Sequence, residues 1–220
     1  MKMRYIGLFV LLCMLFSTRT IGQSLAQKAA VAVTQIQDLK NGTLLIKLNT
    51  QSARINYRLK SGQKKRAQRL IDEVEREHNE IIAAFKENYN FSEYYFYLSD
   101  DSDYIIRKED YSYLFKIKNE DNRSVTTVKN PFILSLEVPP EHSSAVDKYK
   151  FVLYEIIDNK IVRCRKPMPY VFKTRNFGFF LFKPFSDYKF DLSLAIANKR
   201  LIEFYEKSQT EYYQNYLFNR

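Results

Sequence analysis

From Ser61 to about Asn88, the residues Ala67, Leu70, Ile71, Val74, His78, Ile81, Ile82 and Phe85 recur at three- and four-residue steps. On a helix that spacing lines up one stripe, while the opposite face is charged, with Arg69 and Glu73, or Asp72 and Arg76, four residues apart. A stripe this long must lie on another apolar layer to leave water. Two segments supply that layer. Residues 43–49 (TLLIKLN) are short, apolar and bounded by turn residues, and residues 94–98 (YYFYL) are aromatic and compact, so both are predicted strands. Strand, long helix, strand opens a parallel unit, because parallel neighbours need a long crossover between them.

The remaining segments extend this unit. Residues 24–40 suit a helix closed by Asn41 and Gly42, although Asn-Gly equally suits a hairpin turn. Ser99, Asp100 and Asp101 after the aromatic strand suit the cap of a short helix. Residues 118–129 are polar and predicted as a loop, and Pro131 leads into a strand at 132–138 that Pro139 and Pro140 end. Residues 151–157, the turn 158–160 and residues 161–165 form the clearest hairpin, and 192–209 returns to helical spacing. With no internal repeat and no low-complexity linker, the expectation is a single α/β domain over 23–220, with a central mixed sheet and flanking helices.

The order strand, long helix, strand, short helix, hairpin (FVLYEII, DNK, IVRCR) and closing helix resembles the thioredoxin-like fold. No Cys-x-x-Cys follows the first strand, where the sequence reads NTQSARINY, and no proline directly precedes Phe151. The resemblance therefore implies a thioredoxin-like shape without disulfide oxidoreductase chemistry. GTLLIKL, NEIIAAFKENYNF, YYFYLSDDS and KPMPY are also similar to segments of small exported bacterial proteins of uncharacterised function, a likeness that implies no activity.

Residues 1–22 have the layout of a secretory signal: basic Lys2 and Arg4, an apolar run from Tyr5 to Phe16, then a polar exit toward Gln23. Cleavage is expected after Gly22, with Ala26 as the alternative, and the segment before Cys13 (Val10, Leu11, Leu12) lacks the small residues of a lipoprotein site. No second apolar run reaches the roughly 20 residues needed to span a bilayer, so no transmembrane segment is expected after signal removal. The expected location is the periplasm or the extracellular medium. Losing Lys2, Arg4 and Arg19 lowers the formal charge from +10 to +7. Cys164 is then the last cysteine and has no partner within the chain.

Composition excludes several chemistries. The processed chain keeps three widely separated glycines, Gly42, Gly62 and Gly178, whereas phosphate-cradling loops need several close together. No cofactor is expected. With His78 and His142 the only histidines and Cys164 the only thiol, one chain cannot assemble a four-ligand structural zinc site. His78 falls in the apolar stripe and is read as a packed, hydrogen-bonded residue. Arg163, Arg165 and Lys166 around Cys164 would favour its thiolate, against a structural, half-buried role for the same residue.

Two charged clusters remain as candidate sites. Asp100, Asp101 and Asp103 follow a predicted strand, where carboxylates offer hard oxygen ligands to Mg²⁺ or Ca²⁺, or simply cap a helix. Lys60, Lys64, Lys65, Arg66 and Arg69 crowd the start of the long helix, against its dipole. Lys64, Lys65, Arg66 and Arg69 thus mark either an anion site or a solvated basic face. Nucleic acid is not expected, because no aromatic platform alternates with these cations. The expected function is a non-enzymatic exported binding or structural domain whose partner is an envelope or extracellular protein or an anionic ligand. The aromatic segment 168–185 is a further candidate surface. The alternative is a metal-dependent hydrolase or phosphate-handling enzyme built on Asp100, Asp101 and Asp103.

Overall fold

The computed structural model describes residues 27–116, 127–137, 150–164, 166, 168–169, 171–173 and 189–210. The expected leader, most of the polar loop and most of the aromatic segment 168–185 lie outside these residues.

Helix α1 (27–41) runs straight into strand β1 (Thr43–Leu48), so Asn41-Gly42 is a helix end and not a hairpin turn. Gly42 is required by close approach: a Cβ there would lie 2.5 Å from the Asp38 carbonyl oxygen and 2.6 Å from that of Asn130. After β1 the chain forms α2 (Ser52–Lys60), turns at Gly62 (φ 73°), and enters α3 (Lys64–Asn88). Helix α3 is the long amphipathic helix predicted from the stripe, and Ala67, Leu70, Val74, His78, Ile81 and Phe85 are buried along it. Its predicted charge pairs do not form: Arg76 turns to Glu80 (3.8 Å) and Asp72 accepts a hydrogen bond from Gln68 (2.9 Å). Strand β2 (Glu93–Leu98), a 3₁₀ turn at Ser99–Asp101 and α4 (Ser102–Arg107) follow. The chain is completed by β3 (Pro131–Glu137), β4 (Lys150–Ile157), β5 (Lys160–Arg163), β6 (Val171–Lys173) and α5 (Lys189–Ser208).

The six strands form one mixed sheet in the order β2-β1-β3-β4-β5, with β6 also on β4. Strand β1 is parallel to both β2 and β3, and β4 is antiparallel to β3, β5 and β6. The hairpin β4–β5 turns through Asp158 and Asn159, both at positive φ (49° and 59°), as a tight two-residue hairpin loop demands. It does not lie against β1, because β3 sits between them.

Alternation along the strands divides the core. Leu44, Ile46, Phe96, Phe132, Leu134 and Phe151 face one side, against Ile36 and Leu39 of α1, Phe85 of α3 and Leu194 and Leu201 of α5. Leu45, Tyr97 and Ile133 face the other, under Ile105 and Ile106 of α4. Burying a Leu or Phe contributes roughly 1.5–3 kcal/mol, so the three-helix side carries most of the stability. The chain passes from β1 to β2 on one side and later to β3 on the other, which puts a topological switch at the carboxyl end of β1, the usual ligand position in such sheets.

Candidate functional site

The loop after β1 is held by its own short polar side chains. Asn49 Oδ1 accepts from the Gln51 amide (3.1 Å), an Asx turn that admits the left-handed Gln51 (φ 51°) at the head of α2. The Asn49 carbonyl meets His78 Nε2 at 3.0 Å, which ties the loop to α3 and makes His78 a buried, hydrogen-bonded residue. From the end of β2, Ser99 Oγ accepts from the Thr50 amide (3.1 Å).

Asp100 completes this network rather than opening a site. Its two carboxylate oxygens accept from Thr50 Oγ1 (2.7 Å) and Ser52 Oγ (2.5 Å). The hydroxyls of Ser52 and Thr50 hold its carboxyl below the usual carboxylate range, whereas burial and the charge of Asp100 push Asp101 upward. Asp103 points elsewhere and pairs with Arg107 (3.3 Å) in water. The fold therefore does not gather the three carboxylates, and among the described residues no group of three or more His, Cys, Asp or Glu is placed to hold a metal ion. Helix capping fares no better: Asp101 heads α4 without a side-chain cap bond, and Ser102 Oγ donates to the Ser99 carbonyl (2.6 Å) instead.

The basic cluster has a different fate. Helices α2 and α3 fold back on each other through Gly62, with Gln63 N–H donating to the Arg58 carbonyl (2.9 Å) and Arg58 Nη1 donating to the Arg66 carbonyl (3.1 Å). Between them lies an open cleft of about 450 Å³ lined by Arg54, Arg58, Arg66, Arg69, Leu70 and Glu73. Thus Arg66 and Arg69 enter the site, while Lys64 and Lys65 stay exposed outside its lining. Arg54 and Arg58 were missed by sequence reasoning because no element was assigned to the segment between β1 and Ser61. Ile55 and Leu59, four apart, with Arg54 and Arg58, also four apart, are the signal that announces α2.

Among the described residues none of the four arginines has a carboxylate within ion-pair distance. Arg54 and Arg66 instead donate to the neutral side chains of Gln51 and Gln63, each at 3.2 Å. Neither α2 nor α3 has an acidic residue in its first turn or a side-chain cap. Four arginines against one carboxylate, Glu73, leave the cleft lining with an excess of positive charge, and planar guanidinium forks suit the paired oxygens of a phosphate, sulfate or carboxylate.

Cys164 is 1% exposed, and its thiol is pushed up to about 12 by burial and then by the charge of Glu155. Burial disfavours the thiolate that the neighbouring cations would favour, so Cys164 has the structural role, fully rather than half buried. Comparison with protein families, with curated proteins and with solved structures found no match.

Proposed function

We propose that the chain is an exported, non-enzymatic binding domain whose ligand is an anion seated between α2 and α3. One observation carries this reading: four arginines converge on a single open cleft without a carboxylate partner among the described residues. Salt-bridged arginines would already have spent their hydrogen-bonding capacity, whereas these are directed to solvent or to neutral amides. The engagement of Asp100 by hydroxyls, of His78 by a carbonyl and of Cys164 by the core favours binding over catalysis. A thermal-shift screen of phosphate, sulfate and sulfated or phosphorylated sugars against divalent cations tests it. Anions stabilise the protein in a saturable way and Mg²⁺ or Ca²⁺ does not; stabilisation by metal alone, lost in Asp101→Asn, would restore the hydrolase reading.

A further inference from the structure

We infer that the anion recognised by this cleft is the headgroup layer of an anionic lipid surface, on which the α2–α3 hairpin docks; the inference rests on the anion-binding reading above. No residue of helix α2 is fully buried, and packing does not account for its exposed Tyr57 and Leu59. Tyr57 is 69% exposed and Leu59 46% exposed, on a helix whose Ile55 and Arg58 turn inward. At 100° per residue, Tyr57 projects away from the body, next to Arg54. An aromatic ring with a hydroxyl, standing outward among cations, suits the polar boundary of a bilayer.

Charge makes the same choice. Ser52–Ile71 holds seven basic residues, Arg54, Arg58, Lys60, Lys64, Lys65, Arg66 and Arg69, and no acidic one. Only Arg54, Arg58, Arg66 and Arg69 line the cleft, so a small free anion leaves Lys60, Lys64 and Lys65 unused. An extended anionic surface adds the lysines to the outward arginines and covers Tyr57, whereas Leu59, about 200° further round the helix, lies off that face. Clustered cations beside exposed apolar residues are the features by which peripheral helices hold such surfaces.

The protein contains no tryptophan, so Tyr57→Trp installs a single indole reporter. The full chain is mixed with vesicles of phosphatidylcholine, with vesicles containing phosphatidylglycerol, or with inorganic phosphate at matched ionic strength. All variants share one N-terminus, so any lipid affinity of that segment cancels. Expected are co-sedimentation with the anionic vesicles and a blue shift of the indole, neither seen with phosphatidylcholine or phosphate. Arg54→Gln with Arg69→Gln reduces sedimentation at least tenfold, and Tyr57→Ser several-fold. Saturable stabilisation by phosphate without vesicle binding overturns the lipid inference and leaves the cleft reading standing. Vesicle binding with an unshifted indole overturns this docking face, and no response to either probe overturns both readings.

Discussion

The loop after β1 feeds two charged regions that the fold treats in opposite ways. Thr50 and Ser52 turn toward Asp100 and close both of its oxygens with hydroxyl groups, at 2.7 and 2.5 Å. Two residues further on, Arg54 begins a cleft where, although Glu73 shares the lining, none of the four arginines forms an ion pair among the described residues. The Asp100 carboxylate is hydrogen-bonded from inside the chain and stays charged, whereas the arginine cluster is left for something outside it. Charge density alone does not distinguish them; internal hydrogen-bond partners do.

The sharpest way to break this contrast is to remove guanidinium groups. Arg54→Gln with Arg69→Gln is expected to weaken binding of a sulfated oligosaccharide about a hundredfold, as two charge-assisted contacts are lost. Calorimetric titration reads that change, and the melting temperature without ligand should stay put, since neither arginine is buried. In the acidic region the expectation is reversed. Asp100→Ala leaves the hydroxyls of Thr50 and Ser52 without their acceptor and, because both bonds are exposed, should lower stability by about 1 kcal/mol or less in denaturant unfolding, with anion affinity intact.

A pH series refines the second half of the contrast. The folded-state carboxyl of Asp100 is depressed, so the stability it contributes is present above the unfolded carboxylate range and lost as pH falls through its folded value. Asp100→Asn should therefore show a shallower loss of stability on acidification than the parent. Tyr97 provides a smaller test of the same rule, because its hydroxyl is buried near Ser102 without a well-formed hydrogen bond among the described residues. Tyr97→Phe should hold stability or raise it by up to about 1 kcal/mol. The least effect is expected from Lys64→Gln with Lys65→Gln. These residues lie outside the cleft lining and oppose the dipole of α3, so free-phosphate affinity should change less than about twofold and stability should rise slightly.

What the sequence made legible follows from where periodicity is strong. The stripe from Ala67 to Phe85 places α3, because seven buried positions on one helix leave little choice of partner face. The hairpin around Asp158 and Asn159 was equally readable, since two apolar runs flank residues that tolerate positive φ. Helix α2 was not, because its one apolar spacing, Ile55 with Leu59, is too short to stand out on a helix with no fully buried residue, and Arg54 and Arg58 were lost from the site with it. The interposition of β3 between β1 and the hairpin was also hidden, as strand order is set by long-range pairing and not by local pattern. Asp100 could not be judged from sequence either, because its partners Thr50 and Ser52 lie about fifty positions away.

The most direct test of an open arginine cleft is a titration with inorganic phosphate at constant ionic strength, following the melting temperature of the parent and of Arg54→Gln with Arg69→Gln. Constant ionic strength with a chloride reference separates site binding from the general stabilisation by excluded salts, which does not saturate. The account predicts a saturable rise in the parent that is absent in the variant. A rise of equal size in both, or none in the parent, would contradict it.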